Sequence, residues 1–253
     1  MKKEAILKKR ADYLKNFIKE KVYEAEKNGI VVGLSGGLDS SLCLSLAVEA
    51  LGGKNCLALY MPHRGSGSLR PEVKLLRDQL GFRLKIYDLT PITEMFSKMT
   101  STSKDIQKGN FGARLRMAFL YREAALNNYL VLNTSNRSEI MTGYFTKWGD
   151  EAGDISPMAG YYKSEVRRLA EYMNIPDQIL NATPSADFFK GQKDEDDLGM
   201  SYEKLDKILQ LLDSPVSSSE IESMDKGAVQ RVKNMIEKSS HKRNSPLKAR
   251  RIE

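Results

Sequence analysis

The chain has 253 residues, of which 41% are hydrophobic and 29% are charged, so it can bury a core and is not typical of a disordered chain. No window approaches the ~18 apolar residues of a membrane-spanning helix, and the charged N-terminal segment does not fit a signal peptide, so we expect a cytoplasmic protein. The net charge of +7 suits anionic ligands, and both a nucleic acid and a dinucleotide with ATP remain compatible with it.

The cysteines and histidines are too few for a zinc cluster. Cys43 and Cys56 each lie among apolar residues, which predicts buried, reduced thiols. His63 and His241 are far apart in the sequence. A zinc site built from these four residues is therefore not expected.

The first half of the sequence alternates between helical and strand patterns. The predicted elements are a helix over 3–28, a strand over 30–34, a helix over 39–51, a strand over 56–61, a helix over 71–80, a strand over 83–88, a helix over 110–128 and a strand over 129–132. This alternation predicts a doubly wound parallel sheet of the α/β class, covered by helices on both faces. In such sheets, ligands bind at the carboxyl ends of the strands.

The last third of the chain has a different character. After Tyr162 no convincing strand pattern appears, and helices are predicted over 163–173, 201–212 and 226–240. The segment Pro184–Gly199 is rich in Asp, Lys and Gly and is predicted to be a long loop of the kind that forms lids. We expect one domain over 1–253, with a nucleotide-binding core over 30–135 and a mainly helical part over 163–253.

One motif after the first predicted strand indicates phosphate binding. It reads Ser35-Gly36-Gly37-Leu38-Asp39-Ser40-Ser41. The glycines allow a sharp turn, the helix start offers main-chain N–H groups to an anion, and the three serines can add hydroxyl donors. Asp39 would repel phosphates unless a Mg²⁺ ion lies between them. The alternative is an ordinary tight turn that needs small residues.

This string resembles the pyrophosphate-binding loop of the N-type ATP pyrophosphatases, which adenylate a substrate and release pyrophosphate. The resemblance implies a Rossmann-like fold of the adenine nucleotide alpha hydrolase type. It also implies a set of ATP-contacting residues in the loop, namely Gly33, Leu34, Ser35, Gly36, Gly37, Leu38, Asp39 and Ser40.

Further segments resemble one family of that superfamily, the NAD synthetases. They are Asn110 to Met117 (NFGARLRM), Asn133 to Glu139 (NTSNRSE), Gly143 to Asp150 (GYFTKWGD), Gly153 to Pro157 (GDISP), Pro184 to Asp187 (PSAD) with Gly191-Gln192 and Asp194-Glu195, and His241 to Arg243 (HKR). The segments occur in the family's order along almost the whole chain. The loop over 63–70 departs from the family pattern, because an arginine precedes its glycine and the expected acids are largely missing.

The resemblance implies a role for particular residues. Those implied for ATP outside the loop are Thr134, Lys163 and Ser185. Those implied for the dinucleotide substrate, deamido-NAD, are Arg114, Lys147, Asp154, His241 and Lys242. Asp39 and Glu139 are implied to share Mg²⁺, and Asp150 is a weaker candidate for accepting a proton from ammonia.

Each role has a structural alternative that the sequence leaves open. Arg114 and Arg116 point to different sides of their helix, and both fit solvated helix arginines. Thr134 and Glu139 also fit a helix cap with an exposed acid. His241 and Lys242 also fit a solvated basic tail.

The implied reaction is the ATP-dependent amidation of deamido-NAD to NAD through an acyl-adenylate, with AMP and pyrophosphate as the other products. The motif begins near residue 30 and neither cysteine suits a nucleophile, so we expect free ammonia or a separate partner protein, rather than a built-in glutamine amidase, to supply the nitrogen. The family also implies a homodimer, with neither nucleic acid nor membrane as a partner. Two rival hypotheses remain, a tRNA-modifying enzyme with the same loop and a non-catalytic nucleotide-binding protein.

Overall fold

The computed structural model describes residues 2–63, 68–186, 188, 191–214, 218–244, 246 and 249. The strands are β1 (Gly29–Gly33), β2 (Cys56–Tyr60), β3 (Arg83–Ile86) and β4 (Tyr129–Leu132). The helices are α1 (Lys2–Glu24), α2 (Leu38–Leu51), α3 (Pro71–Leu80), α4 (Thr90–Thr100), α5 (Asp105–Asn127), α6 (Arg137–Thr142), α7 (Lys163–Tyr172), α8 (Asp177–Leu180), α9 (Asp194–Leu198), α10 (Tyr202–Asp213), α11 (Ser218–Ser223), α12 (Lys226–Lys238) and α13 (Ser240–Arg243). A short 3₁₀ turn over Gly53–Asn55 precedes β2.

The four strands form one parallel sheet in the order β3-β2-β1-β4. Ile30 in β1 pairs with Cys56 on one side and with Leu130 on the other. The chain therefore moves outward from β1 through β2 to β3 and then returns to place β4 on the opposite side of β1. This reversal of direction is a topological switch point, where open α/β sheets form a crevice at the strands' carboxyl ends.

Helices cover both faces of the sheet, as the sequence pattern predicts. On one face, the largest buried cluster joins β1 and β2 to α1, α2 and α7, with Leu14, Ile18, Leu44 and Val166 at or below 1% exposure. On the other face, a smaller cluster packs α5 against the sheet. The predicted doubly wound α/β class is confirmed.

A third apolar cluster belongs to the C-terminal helices. It joins α10 and α12 and includes Tyr202, Leu205, Leu209 and Val232. The predicted helical character of the last third is confirmed. The segment Pro184–Gly199 is not wholly a loop, however, because α9 lies within it.

The helices differ from the prediction in two places. Helix α4 has no counterpart among the predicted elements. Helix α5 begins five residues before the predicted start, and the helical spacing of Ala118, Ala125 and Leu126 predicts an apolar face, but all three are exposed. Glu123 is buried instead, because Lys85, Tyr87 and Arg122 bind its carboxylate (each 2.6 Å).

Both cysteines are buried and unpaired, as predicted. Burial raises the pKa of Cys56 to about 12 and that of Cys43 well above its usual range, so neither suits a nucleophile. Within the described part of the chain, none of the helices combines the length and the apolar character needed to cross a membrane.

Candidate active site

The turn after β1 presents the start of α2 at the carboxyl edge of the sheet. Gly36 has a φ of +86°, a left-handed conformation that glycine adopts without a steric penalty. Gly37 is the extended N-cap of α2, and no side chain caps the helix there. The first N–H groups of α2 are therefore available to an anion, which the helix dipole also favours.

The serines of this turn shape it from within. Ser40 Oγ and Ser41 Oγ both donate to the carbonyl of Gly37 (3.1 and 2.8 Å), and Ser35 Oγ accepts the N–H of Gly37 (3.1 Å). Ser41 is completely buried, so the expectation that its hydroxyl could meet a phosphate is wrong. Its hydroxyl stabilises the first turn of α2 instead.

Asp39 connects this turn to residues that follow β4. Lys163 Nζ contacts the carboxylate of Asp39 and lies 3.5 Å from Glu139 Oε1. Asn136 Nδ2 donates to Asp39 Oδ1 (3.0 Å). The strand order explains this meeting, because β1 and β4 are neighbours at the switch point. Residues predicted separately for the metal and for ATP thus form one contacting group.

Glu139 also has the capping role that the sequence left open. Its N–H donates to Asn136 Oδ1 (3.0 Å), and its own carboxylate accepts the N–H of Asn136 (3.3 Å), which forms a capping box at the start of α6. Its other oxygen faces Lys163. The two interpretations are therefore compatible, because the cap aims the carboxylate at the site.

The charges of this group are unbalanced. Burial raises the pKa of Glu139 to about 8, Lys163 acts against that rise, and the nearby carboxylate of Asp39 adds to it. Burial alone would lower the pKa of Lys163, but Asp39 and Glu139 outweigh burial and raise it. The raised pKa of Glu139 means that its ionised form lacks a full counter-charge beside Asp39 and Lys163, so a further cation would stabilise that form.

Two carboxylates fit Mg²⁺, which usually takes one or two protein carboxylates and completes its shell with phosphate oxygens and water. Within the described ranges, no group of three or more His, Cys, Asp or Glu side chains is placed to hold a metal ion by itself. The donor set therefore suits a metal that arrives with a phosphate ligand.

A second group of predicted residues lies around the loop that follows α6. Arg114 Nε donates to the carbonyl of Lys147 (3.2 Å), and Lys147 Nζ donates to the carbonyl of His241. Lys242 Nζ donates to the carbonyls of Gly143 and Phe145 (2.8 and 2.7 Å). Lys242 is therefore packed against this loop, whereas His241 contacts it through its main-chain carbonyl and is exposed.

A cleft of about 460 Å³ opens beside this group. Aromatic, small and basic side chains line it, including Tyr121, Phe145, Trp148, Gly153, Ser156 and Lys242. Trp148 is 51% exposed and has a φ of +61°, which is strained for a bulky residue. Both carboxylate oxygens of Glu151 accept the N–H of Trp148 (3.1 and 3.2 Å) and hold this conformation.

Two predicted acids have structural partners. Asp154 Oδ2 accepts the N–H of Val131 (2.7 Å), so this carboxylate satisfies a main-chain group on the outer edge of β4. Asp150 is exposed as a residue, but its Oδ1 turns back to accept the N–H of Thr146 (2.8 Å). Each carboxylate thus has one oxygen committed to the protein backbone.

The remaining predicted residues are placed less closely. Thr134 is half-buried at the carboxyl end of β4, beside the Asp39 group, and Ser185 is exposed in the segment before α9. Asp187 of the PSAD motif and residues 64–67 of the divergent loop lie outside the described residues.

Several site residues were not predicted from the sequence. Asn136 had a readable signal, because Asn followed three positions later by Glu is a capping box. Tyr202 and Asp194 approach Lys163 from the C-terminal helices. Asp194 lies in a segment that resembles the family but had no predicted role, and Tyr202 had no comparable signal. Arg243 holds α13 in place by donating a hydrogen bond to the carbonyl of Met141 (2.9 Å).

Comparisons with known proteins agree with this geometry. A family profile described as NAD synthase matches residues 10–246. The NH(3)-dependent NAD(+) synthetase of Thermococcus sibiricus is 40% identical over 239 residues, covering 92% of this chain and 94% of that protein. The structure of NH3-dependent NAD synthetase from Campylobacter jejuni is 32% identical, with a TM-score of 0.83 and coverage of 96% and 99%. NMN synthetase from Francisella tularensis is also 32% identical, with a TM-score of 0.85 and coverage of 96% and 98%. The chain belongs to the NAD synthase family.

Proposed function

We propose that this chain is an ammonia-dependent NAD synthetase, which uses ATP to convert the carboxylate of deamido-NAD into the amide of NAD. The observation that carries the proposal is the contact of Lys163 with both Asp39 and Glu139 beside the Ser35–Ser41 turn. This arrangement places a helix N-terminus, an ammonium and two metal-binding carboxylates at one sheet edge. A triphosphate needs these three kinds of group.

The ATP phosphates bind at the turn. The N–H groups at the start of α2 contact the pyrophosphate portion, and Gly36 lets the backbone approach it. Lys163 supplies positive charge next to the departing pyrophosphate. Thr134 and Ser185 contact ATP from the end of β4 and from the segment before α9.

Asp39 and Glu139 would hold Mg²⁺ beside the phosphates of ATP. When bound, the ion would supply neutralisation of phosphate charge. Asn136 keeps Asp39 in place through its side-chain amide.

Deamido-NAD binds in the cleft beside Trp148. Arg114, Lys147 and Lys242 bring positive charge to its pyrophosphate, and Asp154 and His241 also contact the dinucleotide. The nicotinate carboxylate attacks the α-phosphorus of ATP, which gives an acyl-adenylate and pyrophosphate. Activation is needed because a free carboxylate has no acceptable leaving group, whereas AMP leaves readily.

Ammonia then attacks the acyl carbon and AMP leaves. The attacking ammonia must lose a proton, and we assign its acceptance to Asp150, in the same loop as Lys147. No protein nucleophile is required, which agrees with the buried, high-pKa thiols of Cys43 and Cys56. The enzyme's contribution is positioning and charge neutralisation.

We also propose that the chain forms a homodimer. Helices α4 and α5 expose large apolar side chains, Met95 at 57%, Met99 at 78%, Ile106 at 59% and Leu126 at 64%. These exposed apolar side chains are compatible with a protein–protein contact, and the resemblance to the family is what supports a homodimer. Light scattering of the purified protein measures the assembly directly, and a monomer at all concentrations would contradict the proposal.

The similarity to a protein described as an NMN synthetase favours a second candidate substrate. In that reaction the acid to be amidated would be nicotinate mononucleotide, which lacks the adenylate half of the dinucleotide. The Trp148 cleft accepts the pyridine end in either case. The reaction with ATP is the same for both acids.

One assay tests the proposal and separates these substrates. The protein is incubated with ATP, Mg²⁺, ammonium and either deamido-NAD or nicotinate mononucleotide, and NAD, NMN and pyrophosphate are measured. We expect NAD and pyrophosphate in equal amounts, with a higher kcat/KM for the dinucleotide. A preference for the mononucleotide would support the second candidate, and pyrophosphate release that requires tRNA would refute both.

A further inference from the structure

Lys163 rests on an aromatic ring supplied by the C-terminal helices. Its Nζ lies 5.2 Å from the ring centroid of Tyr202, which is within the range of a cation–π contact. Tyr202 is the first residue of α10 and is 7% exposed. Asp39 and Glu139 contact the same ammonium. The position of the ring therefore limits where the ammonium can lie.

Asp194 holds the Tyr202 ring in turn. The phenol of Tyr202 donates to Asp194 Oδ2 (3.1 Å), and the phenol of Tyr144 lies 3.1 Å from Asp194 Oδ1. Asp194 is only 5% exposed. A buried carboxylate is costly unless hydrogen bonds satisfy it, so these phenols and Asp194 fix one another's positions.

Asp194 also forms hydrogen bonds with the short segment that contains Ser185. Its main-chain N–H donates to the carbonyl of Pro184 (3.1 Å), and its carboxylate accepts a hydrogen bond from the N–H of Ala186. Ser185 lies between these two attachment points. Asp194 thus contacts both Tyr202, which packs against Lys163, and the main chain on either side of Ser185. We assign both Lys163 and Ser185 to ATP.

We propose that Asp194 is a positioning residue for ATP, which links the Pro184–Ala186 segment to Lys163 through the ring of Tyr202. The inference rests on the proposed function for the roles of Lys163 and Ser185. Asp194 itself does not touch the reacting atoms. Its loss should therefore weaken ATP binding and adenylation, and it should leave dinucleotide binding nearly unchanged.

The substitution Asp194→Asn tests this role with little change in volume. It removes the charge and replaces one acceptor oxygen with an amide donor, which opposes one of the O–H or N–H groups that now face the carboxylate. We expect kcat/KM for ATP to fall about tenfold or more, as for the loss of one hydrogen bond to a charged group. We expect KM for deamido-NAD to change less than about twofold.

Two further variants sharpen the test. Asp196→Asn removes an exposed charge from the same helix and should behave as wild type. Tyr202→Phe keeps the ring beneath Lys163 but removes the phenol that binds Asp194. Because Asp194 and Tyr202 act through the same hydrogen bond, the fold-loss of kcat/KM for ATP in the double variant should be smaller than the product of the fold-losses in the two single variants.

Calorimetric titration with ATP and Mg²⁺ provides a readout that does not depend on turnover. We expect Asp194→Asn to weaken ATP binding relative to Asp196→Asn while the thermal unfolding midpoint stays high enough for a folded protein. Equal ATP affinity in the two variants would overturn the inference, even if wild type makes NAD. So would equal losses for ATP and for the dinucleotide.

The inference and the proposed function can fail separately. If wild type binds ATP but does not make NAD, the function fails and the calorimetric comparison still decides the role of Asp194. If Asp194→Asn does not fold, the ATP affinity of Tyr202→Phe tests the inference by itself. A wild-type ATP affinity in Tyr202→Phe would overturn the proposed connection between Asp194 and Lys163.

Discussion

The side-chain amide of Asn136 donates a hydrogen bond to the carboxylate of Asp39 (3.0 Å), although 97 positions separate the two residues. The contact crosses the switch point of the sheet, because Asp39 follows β1 and Asn136 follows β4. It brings the phosphate-binding turn and the capping box of α6 into one site.

Replacing Asp39 with Asn should abolish adenylation and leave the fold intact. The variant loses one of two metal-binding carboxylates and one partner of Lys163. We expect pyrophosphate release to fall at least about 100-fold, the scale at which removal of one electrostatic group acts on a transition state. Circular dichroism should match wild type. Asp78→Asn, which removes an exposed acid from α3, is the control, and near-normal turnover in Asp39→Asn would refute the metal assignment.

Arg114→Ala should weaken binding of deamido-NAD more than binding of ATP. Its guanidinium donates to the carbonyl of Lys147, which belongs to the group of residues that we assign to the dinucleotide. We expect KM for the dinucleotide to rise about tenfold or more, as for a lost charged hydrogen bond. Arg168→Ala removes another exposed helix arginine as the control. Equal losses of affinity for deamido-NAD and for ATP would contradict the assignment of Arg114 to the dinucleotide.

Gly36→Ala should affect stability and ATP binding together. A left-handed φ costs a residue with a side chain about 1–2 kcal/mol, so the free energy of unfolding should fall by that amount. Gly81→Ala is a matched control, because Gly81 has a left-handed φ of +68° at the end of α3 with nothing within 4 Å of an added Cβ. Denaturant titration should show similar losses for both variants. Only Gly36→Ala should weaken ATP binding, and the same ATP affinity in both would contradict the role of the turn.

Glu123→Gln should destabilise the fold in a pH-dependent way. Burial alone would raise the pKa of Glu123, but hydrogen bonds from Lys85 and Tyr87 outweigh burial and leave the pKa below its ordinary value. A lowered folded-state pKa gives stability that is present above the unfolded pKa of about 4.3 and is lost as pH falls through the folded value. The free energy of unfolding of Glu123→Gln at pH 7 should be about 2 kcal/mol lower than that of wild type.

The difference between wild type and Glu123→Gln should shrink as the pH is lowered below about 4, because the protonated acid then resembles the amide. A difference that stays constant between pH 7 and pH 3 would show that the charge of Glu123 does not contribute.

Local patterns predicted the sheet well. The β4 strand falls where its apolar run predicts it, and the turn after β1 has the left-handed glycine that its Gly-Gly pair suggests. Such features depend on neighbouring residues, which the sequence shows directly. The direction of the strands then placed Glu139 near Asp39, since both follow the carboxyl ends of parallel strands.

Contacts between distant segments escaped prediction. The apolar face of α5 was misjudged because a buried Glu123 is acceptable only when Lys85 and Tyr87 of another element satisfy it. The structural use of Asp154 by the edge of β4 is equally invisible in a linear pattern. The approach of Asp194 to Tyr202 also requires the packing of two helices against the site.

The most direct test of the central claim is a crystal structure with Mg²⁺ and an ATP analogue that cannot be cleaved between the α- and β-phosphates. The account predicts that the phosphates contact the main-chain N–H groups of the Ser35–Ser41 turn, with the metal between them and the carboxylates of Asp39 and Glu139. A nucleotide bound elsewhere, with this turn empty, would contradict it.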